Sequence, residues 1–591
     1  MATRRRKFDF TPSPYQEKVF DFVEHGAGNA VISAMAGSGK TTLIVSAIKL
    51  IPKKEKCLFL AFNRSIVETL KEKLKSNKNC HIRTIHSLGY KIVQMKFGSD
   101  IEIDEYKYRS YVKSNINKLS RVESGQMNSR DVNAYIDTIC TLIDIARANL
   151  AQNVKEIVKT AETYNVPIFY DEAEVALKCM KWGSQNVETI DYTDMVWLPC
   201  ELQLSAHYMT YDWVMCDEAQ DFSRAYIELF MKCFKRGTRF IAVGDRHQQI
   251  YHFCGASEEA FDFMENYPNT TKFTLPISYR CDKEIIKEAN EIVEDIVPRD
   301  NAGEGLVLRE CRVKEIEAGD MVLCRTKAPL MTLYVKLLRR GINAYIKGAE
   351  MGDKMMDYIK SFKKYNELNV NLQEDGLFVR MYEDLFKTRN QVMLKYGLDK
   401  ADASMSTAVL EKYDTINTLA VLAERADNSK DKLLSKIRNV FVQQSDAVVL
   451  STIHKAKGLE ADNVYILCRS RMPSSQAHTE WEIQEEQNLI YVAVTRAKHK
   501  LGYITEKEVR ATGGCLEVEE VMSDLNNIER MVCKVLGTEP LKDMESEELT
   551  RFRLKMISPV EELQEDNGVK IEEAAEQEVD DDALLNELLN L

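Results

Sequence analysis

Residues 31–45 read VISAMAGSGKTTLIV, and this segment decides the fold. An apolar run at residues 31–33 precedes a glycine-rich turn, and a second apolar run at residues 43–45 follows it. Such a turn between a strand and a helix points backbone N–H groups at phosphates, while the Lys40 side chain reaches the β and γ oxygens and the Thr41 hydroxyl ligates Mg²⁺. The sequence therefore predicts a nucleotide-binding loop on a parallel sheet, although Ala34 stands where the strict pattern has glycine.

A second segment, residues 214–221, reads VMCDEAQD and places two adjacent carboxylates directly after an apolar strand. Asp217 can hold the metal ion through water, and Glu218 can accept a proton from the attacking water. These are the two tasks that phosphoryl hydrolysis requires. Adjacent acids are common on protein surfaces, but their position at the end of a buried strand favours the catalytic interpretation.

Length and composition restrict the class of protein. A chain of 591 residues is too long for one hydrophobic core, and its length predicts roughly four domains. No apolar run approaches the ~20 residues of a membrane helix, and the basic N-terminus is not followed by an apolar stretch. We therefore expect a soluble, intracellular protein of the cytoplasm or nucleus, with no membrane partner. Its 14 cysteines lack disulfide or zinc spacing, so reduced and mostly buried thiols are expected.

The net charge of −12 is concentrated at the C-terminus. Residues 561–591 contain twelve acidic residues and one lysine, which leaves a charge of −1 for residues 1–560, so the body can contain a basic groove. The stretch 561–582 is too acidic and too poor in large apolar residues to fold alone. Residues 583–591, ALLNELLNL, form a short amphipathic cluster that either binds a protein partner or is a frayed tail.

Short apolar runs alternate with helical patterns in two parts of the chain, as in parallel sheets wrapped by helices. The first part comprises residues 1–90 and 186–275, and the second comprises residues 276–351 and 443–510. Each is interrupted by a helical insertion without strand signals, at 91–185 and at 352–442. A helical extension at 511–560 precedes the acidic tail at 561–591. The predicted strands are 30–34, 57–62, 213–216, 240–243, 321–324, 448–451, 463–467 and 501–504.

Six short motifs carry a resemblance to a known family. They are GSGKT at 37–41, DEAQD at 217–221, VGDRHQQIY at 243–251, SYR at 278–280, TIHKAKGLE at 452–460 and YVAVTRA at 491–497. In this order, over about residues 11–505, they resemble the superfamily 1 helicases of the UvrD/Rep/PcrA group. Residues 60–66, LAFNRSI, are closer to F-box helicase relatives in that group, yet nothing in the sequence reads as an F-box.

The resemblance implies an α/β fold with two RecA-like parallel-sheet motor domains, each with a helical insertion, followed by a disordered acidic tail. It also implies ATP and Mg²⁺ as cofactors. Gln16 would read the adenine edge, Tyr279 would stack on adenine, and Gln248 would sense the γ-phosphate. The implied catalytic residues are Lys40, Glu218, Gln248, Arg280 and Arg496; the nucleotide-binding residues are Gln16, Ala36, Gly37, Ser38, Gly39, Lys40, Thr41, Thr42, Tyr279 and Glu460; the metal ligands are Thr41 and Asp217.

Each of these roles has an alternative. Gln16 would otherwise be an exposed helix residue, and Tyr279 would otherwise be a half-buried packing residue. The two arginines, Arg280 and Arg496, would neutralise charge that develops on the γ-phosphate when the two motor domains close, or would belong to surface ion pairs. Glu460 would approach the ribose.

The resemblance also implies a track for single-stranded DNA, built from aromatic platforms and polar backbone contacts. Burial in the core is the alternative for each aromatic residue. The predicted stacking residues are Phe62, Tyr251 and Phe253, and the predicted polar contacts are Asn63, Thr84, His86, Thr452 and His454. The chain departs from the family at Arg246 and His247, where a basic phosphate contact could be added, and at Cys254, where an arginine is missing.

The predicted function is that of an ATP-dependent DNA helicase in replication, repair or recombination. It would move along single-stranded DNA in the 3′→5′ direction and separate tailed duplexes. Three alternatives stay open: a translocase that mainly strips bound proteins, an ATP-switched scaffold that recruits partners through its acidic tail, and the same chemistry on RNA. The second insertion, of about 90 residues, is shorter than expected for the bacterial members, so their regulation cannot be transferred.

Overall fold

The computed structural model describes residues 8–61, 64–120, 129–168, 170–252, 255–256, 258–396, 400–404, 406–423, 426–441, 446–474, 477, 479–505, 508 and 518–539. Three residues predicted to contact single-stranded DNA, Phe62, Asn63 and Phe253, lie outside these residues. So do the acidic tail and the terminal segment 583–591. Within the described residues no helix is long and apolar enough to cross a membrane.

Nineteen α-helices among the described residues between 14 and 494 are labelled in chain order, and a further α-helix, Val518–Leu536, follows them. They are α1 Pro14–His25, α2 Lys40–Leu50, α3 Arg64–Lys73, α4 Ile85–Phe97, α5 Lys107–Leu119, α6 Ser129–Ala148, α7 Val154–Thr163, α8 Glu172–Gln185, α9 Tyr192–Glu201, α10 Arg224–Met231, α11 Glu258–Glu265, α12 Lys283–Asn290, α13 Ala328–Arg339, α14 Ala349–Ser361, α15 Leu377–Tyr396, α16 Lys400–Ser404, α17 Thr407–Ala423, α18 Lys430–Val440 and α19 Glu480–Val494.

Sixteen strands are present in the described part of the chain. They are β1 Asn29–Ala34, β2 Cys57–Ala61, β3 Cys80–Thr84, β4 Glu102–Ile103, β5 Thr189–Ile190, β6 Tyr211–Cys216, β7 Phe234–Gly244, β8 Thr270–Leu275, β9 Ile277–Ser278, β10 Val297–Pro298, β11 Leu306–Leu308, β12 Met321–Cys324, β13 Ala344–Ile346, β14 Val448–Thr452, β15 Ala461–Leu467 and β16 Ala497–Ile504.

The first six-stranded sheet has the order β3-β2-β6-β7-β1-β8, and every pairing in it is parallel. The inner strands β1 and β2 are short and largely apolar, as expected where helices cover both faces of a parallel sheet, and β2 is buried along its full length. Since all strands run the same way, the loops after β1, β6 and β7 meet at one edge. Ligands of such sheets bind outside the carboxyl ends of the strands.

The second six-stranded sheet has the order β11-β16-β15-β12-β14-β13 and is also entirely parallel. Its core contains residues of β12, β15, β16 and α19, such as Leu323, Ile466, Leu501 and Tyr491. The mixed α/β architecture with two parallel sheets confirms the predicted fold class.

All eight strands predicted from apolar runs are present, with ends shifted by a few residues; β7, for example, starts at Phe234 instead of residue 240. The four strands β3, β8, β11 and β13, which form the edges of the two sheets, were not predicted. β8, TTKFTL, is largely exposed or half-exposed and lacks a continuous apolar run, as an edge strand covered on fewer sides can. β11 and β13 are apolar but have only three residues each, too few to give a distinct strand signal. The segment 91–185 likewise contains an unpredicted two-residue strand, β4, which pairs with β5.

The first insertion is organised around a buried charge. Arg147, at 0% exposure near the end of α6, donates to Asp191 at 2.7 and 2.9 Å and to Asp194 at 2.7 Å. Lys107 of α5 donates to Asp194 at 2.7 Å as well. Buried charges require such pairing, so these contacts fix α5, α6 and α9 against one another.

Both sheets belong to one compact unit, made of the described residues within 1–363 and 417–516, while the described residues within 364–416 and 518–539 form a second unit. Within the second unit, α15 packs against the helix Val518–Leu536. Arg389 of α15, at 0% exposure, donates to Glu529 of that helix at 2.5 and 3.1 Å, and Lys400 lies 3.0 Å from the same carboxylate. A buried ion pair therefore joins residues 140 positions apart.

We expect Arg389→Ala to destabilise the second unit by about 3–5 kcal/mol, because it leaves the Glu529 carboxylate buried without its main cation. Hydrogen exchange of the helix Val518–Leu536 in the full chain measures this loss. Lys387→Ala is the matched control, since Lys387 lies on the same helix in an exposed pair with Glu383 and its removal costs at most about 0.5 kcal/mol. Equal protection of the C-terminal helix in both variants would contradict the prediction.

Candidate functional site

The loop between β1 and α2 has the geometry of a phosphate cradle. Gly37 and Gly39 have φ values of +72° and +80°, which other residues rarely adopt. A side chain at Gly37 would also approach Arg280 Cβ to 2.7 Å. Helix α2 begins at Lys40, and no side chain among the described residues caps it. Its first N–H groups therefore point at the loop and can receive an anion.

The predicted phosphate-binding lysine lies inside this cradle. Lys40 Nζ donates to the carbonyl oxygen of Ala34 at 2.9 Å and lies 4.0 Å from Asp245 Oδ2. Its side chain is 12% exposed, so the ammonium group is largely withdrawn from water. Thr41 and Thr42 follow in the first turn of the same helix. The loop thus gathers the sequence-predicted residues 36–42 around one point.

Asp217 has the surroundings of a metal ligand. It directly follows β6, is 3% exposed, and accepts a hydrogen bond from the backbone N–H of Glu218 at 2.9 Å. Burial and the neighbouring Glu218 carboxylate raise the pKa of Asp217 to about 7. Among the described residues it has no ion-pair partner within 4 Å. A hard cation such as Mg²⁺, held also by the Thr41 hydroxyl, fits this carboxylate.

Glu218 is held in an unusual backbone conformation with φ of +52°. Non-glycine residues adopt this region at a cost and cluster at functional sites. Gln220 Nε2 donates to Glu218 Oε2 at 2.5 Å. Burial acts to raise the pKa of Glu218, but the ammonium groups of Lys40 and Lys457 outweigh it and lower that pKa to about 2. The carboxylate is therefore ionised at neutral pH, the form that a proton acceptor needs.

A hydrogen-bond network connects the loops after β6 and β7. Gln248 Nε2 donates to Asp245 Oδ2 at 2.6 Å, and the backbone N–H of Asp245 donates to Gln220 Oε1 at 3.0 Å. All three side chains are at most 4% exposed. Gln248 was predicted from the sequence, whereas Asp245 and Gln220 stood in the quoted motifs without a role. Together they link Gln248 to the carboxylate of Glu218.

Two arginines of the second motor domain face this network. Arg496, at 1% exposure, donates to the carbonyl oxygens of Val492 at 2.9 Å and Leu459 at 3.0 Å, and its Nη2 lies 3.4 Å from Gln248 Oε1. Burial and the nearby Arg280 lower the pKa of Arg496 to about 9. Because it is buried and has no acidic partner within 4 Å among the described residues, the surface ion-pair interpretation is wrong for Arg496.

Arg280 lies nearer the surface than Arg496. It donates to Glu460 Oε2 at 2.8 Å and to the carbonyl oxygen of Thr495 at 3.0 Å. Its side chain is 17% exposed and that of Glu460 is 44% exposed. An ion pair is therefore present, and it places Glu460 beside the same loop.

Two further residues join the motor domains, and the sequence did not reveal them. Tyr491 of α19 accepts a hydrogen bond from the backbone N–H of Ala36 at 3.0 Å and donates to Asp245 at 3.3 Å. Lys457 binds the Asp221 carboxylate and donates to the carbonyl oxygen of Gln248 at 2.6 Å. Both lie within the quoted motifs, but no sequence signal indicated contacts across more than 200 positions.

The residues predicted for the base lie beside the phosphate loop. Gln16 is 3% exposed and caps α1, where its Oε1 accepts from the Ser13 N–H at 3.0 Å, so the exposed-residue interpretation is wrong. Tyr279 is 38% exposed, and its backbone N–H donates to the carbonyl oxygen of Gly37 at 2.8 Å. A methyl group added at Gly39 would lie 3.5 Å from Gln16 Nε2 and 3.8 Å from the Tyr279 ring.

The described residues of the predicted strand track fall into two groups. His86 and Tyr251 line one cavity of about 220 Å³ in the first unit. Thr84 precedes His86 and caps α4 through a hydrogen bond from the Ser87 N–H at 3.1 Å. The other group contains Thr452, at the end of β14, and His454. The Tyr251 hydroxyl donates to the carbonyl oxygen of His454 at 3.1 Å and so connects the groups.

Both track histidines are neutral at physiological pH. Burial lowers the pKa of His86, and burial together with Arg325 lowers that of His454 to about 4. Arg246, where we expected an added phosphate contact, is engaged by Asp262 at 2.6 Å and Glu265 at 3.2 Å. In this structure the guanidinium pairs with acids of its own domain, and the added phosphate contact stays a prediction. Cys254 lies outside the described residues.

Comparison with known proteins agrees with this geometry. Residues 15–268 match the UvrD/REP helicase N-terminal domain family, and residues 447–504 match the UvrD-like helicase C-terminal domain family. The chain is 24% identical over 541 residues to F-box DNA helicase protein 1 of Schizosaccharomyces pombe, which covers 80% of this chain and 55% of that protein. It is 23% identical over 622 residues to ATP-dependent DNA helicase PcrA of Bacillus subtilis. That alignment covers 82% of this chain and 82% of the PcrA chain.

A third relative is F-box DNA helicase 1 of Gallus gallus, 24% identical over 507 residues, which covers 79% of this chain and 46% of that protein. The chain thus spans about half the length of the two F-box helicases. The similarity extends across both motor domains.

Lys40→Ala is expected to lower the ATP turnover rate by at least about 10²-fold while the chain stays folded, because it removes the cation that stabilises the transferred phosphoryl group. Phosphate release under saturating ATP measures the rate, and circular dichroism checks the fold. Lys49→Ala, at an exposed position in the last turn of the same helix, is the control. Normal turnover in Lys40→Ala would overturn the assignment of this site.

Tyr491→Phe is expected to lower the ATP turnover rate about tenfold, because the Ala36 N–H and Asp245 lose a buried partner, a loss of about 1–3 kcal/mol. Steady-state ATPase kinetics test this. Tyr503→Phe is the matched control, since it removes a buried hydroxyl that donates to Glu288 at 2.5 Å, away from the phosphate loop. The role of Tyr491 would be refuted by equal rates in both variants.

Proposed function

We propose that this chain, which belongs to the UvrD-like family of DNA helicases, hydrolyses ATP to move along single-stranded DNA and to separate duplex DNA. The observation that carries the proposal is the contact of Arg496 and Lys457 with Gln248. Two residues of the second motor domain thereby meet the loop that follows β7 of the first. The site is complete only when both halves are together.

The chemistry follows from this division. Lys40 and the uncapped start of α2 bind the phosphates, while Thr41 and Asp217 would hold Mg²⁺, which would supply charge neutralisation at the phosphates. Glu218 accepts the proton of the attacking water. Arg496 and Arg280 approach the γ-phosphate from the second domain and stabilise charge that develops there. ATP therefore favours the closed state, and hydrolysis removes that preference.

The same contacts connect the ATP site with the proposed track for single-stranded DNA. Gln248 senses the γ-phosphate, and Tyr251, three residues later, lines the cavity shared with His86 and donates to His454. A change at Gln248 on closure therefore reaches both halves of the track. Alternating grips on the strand by the two halves would convert each ATP cycle into a step.

The direction and the substrate are part of the proposal. We propose 3′→5′ travel on single-stranded DNA and activity on tailed duplexes, in DNA replication, repair or recombination. Support comes from the family resemblance and from the relatives, which are named as DNA helicases. A protein partner of the C-terminal segment 583–591 is a further proposal, carried by its amphipathic pattern.

Unwinding of fluorescent duplexes with 3′ or 5′ tails, in DNA and in RNA, tests activity, polarity and substrate together. We expect strand separation of the 3′-tailed DNA duplex with ATP and Mg²⁺, and none with Lys40→Ala. Displacement of streptavidin from a biotinylated oligonucleotide without unwinding would instead identify a translocase that strips proteins. An ATPase rate that DNA does not change would favour the ATP-switched scaffold. Unwinding of the RNA duplexes alone would change the proposed substrate from DNA to RNA.

A further inference from the structure

Three aromatic rings from distant parts of the chain form one stack beside the strand track. His252, which follows Tyr251, lies between Tyr164 and Trp481. Its ring centroid is 4.9 Å from that of Tyr164, with an interplanar angle of 31°, and 4.5 Å from that of Trp481, with an angle of 35°. The rings are tilted against one another, and aromatic pairs at these centroid distances attract one another beyond the burial of their area. The stack therefore clamps the segment after β7 from two sides.

The two outer rings belong to different domains. Tyr164 directly follows α7 of the first insertion, is 8% exposed, and donates to Asn149 at 3.2 Å. Trp481 is the second residue of α19 in the second motor domain. The neighbouring Asn165 donates to Glu482 at 3.2 Å and reinforces the same approach. Through His252, one stack joins the first insertion, the first motor domain and the second motor domain.

Helix α19 connects this stack with the ATP site. The helix has 15 residues and is about 22 Å long at 1.5 Å per residue. Trp481 lies at its start, and Tyr491, near its end, accepts the hydrogen bond from the Ala36 N–H. Asn488 in between donates to the carbonyl oxygen of Gln249 at 2.9 Å. Arg496 follows two residues after the helix, so a movement of Arg496 toward a phosphate carries Trp481 with it.

Three buried polar atoms beside the stack lack hydrogen-bond partners in the described part of the chain. His252 Nε2, Gln249 Nε2 and Glu485 Oε1 are buried, and none has a hydrogen-bond partner among the described residues. All three residues line one small cavity together with Trp481. Buried polar atoms without partners oppose the packing in which they occur. These unsatisfied atoms make the present packing less favourable than a fully hydrogen-bonded contact, so the ring contacts contribute much of what holds Trp481 against His252.

We propose that Trp481 is a positioning residue that couples the ATP site to the strand track by clamping His252 against Tyr164. When ATP draws Arg496 inward, α19 shifts the Trp481 ring, and the shift resets His252 and the adjacent Tyr251 at the strand cavity. The coupling to DNA rests on the proposed function. The shift of the ring itself requires only nucleotide binding, so the two can be tested separately.

Intrinsic fluorescence reports the first step, since Trp481 is one of four tryptophans. Trp197 and Trp213 are at most 2% exposed, and Trp182 is stacked on Tyr111 at 3.7 Å. We expect the non-hydrolysable analogue AMP-PNP with Mg²⁺ to change the emission of the wild-type chain and to leave that of Trp481→Phe unchanged. The same change in both proteins would overturn the proposal, as would no change in either while the analogue is bound.

The second step, coupling to DNA, is measured by ATPase kinetics with oligo(dT) as the single-stranded DNA. We expect Trp481→Ala to lose about tenfold of the DNA-stimulated ATP turnover while basal turnover and the KM for ATP stay within about twofold. Trp481→Phe keeps a ring in the stack and should retain most of the stimulation. Ile483→Ala, at 41% exposure on the same helix, is the control and should behave as wild type.

The outcomes separate the two proposals. Normal stimulation in Trp481→Ala would refute the coupling role, and so would a joint loss of basal turnover, KM and stimulation that Trp481→Phe fails to rescue, since that marks general structural damage. Absence of stimulation by DNA in the wild-type chain would refute the proposed function, while the fluorescence experiment would still decide whether the Trp481 ring responds to nucleotide.

Discussion

The structure depends on a balance of buried charges between its two parallel sheets. The first sheet contributes Asp217, Asp221 and Asp245, each at most 4% exposed. The second domain contributes Lys457, which binds Asp221, and Arg496, which is buried beside Gln248. Charges withdrawn from water are tolerated only when partners compensate them. Each half is therefore electrostatically incomplete alone, and a triphosphate with its metal ion changes the balance that holds the halves together.

This constraint explains why the site occurs at the carboxyl edges of both sheets. Parallel strands bring the loops after β1, β6 and β7 to one edge, where Lys40, Asp217 and Gln248 meet although more than 200 positions separate the first from the last. Helix α19 performs the corresponding task for the second domain, because its last turns carry Tyr491 to the phosphate loop. A rigid helix then transmits displacement over its full length, which a loop could not do.

The sequence predicted the interior of the fold better than its margins. Inner strands such as β2 and β12 are continuous apolar runs because both of their faces are buried, and these were found. Edge strands such as β8 have half-exposed residues and no such signal. Similarly, Lys40 and the acid pair were evident because their function requires a local pattern. Lys457 and Tyr491 could not be assigned, because their roles consist of contacts between distant segments that only the packed structure defines.

The distribution of charge also bears on how the proposed track would contact single-stranded DNA. Residues 1–560 are nearly neutral, and the cations Lys457, Arg496 and Arg246 are committed to partners inside the protein. The track groups that the structure describes are uncharged: Tyr251 is a hydroxyl donor, and the lowered pKa values of His86 and His454 keep both imidazoles neutral. Neutral contacts release no counterions from the nucleic acid, so their share of the affinity does not fall with salt. The described groups of the proposed track therefore offer stacking and hydrogen bonding, neither of which requires a net charge.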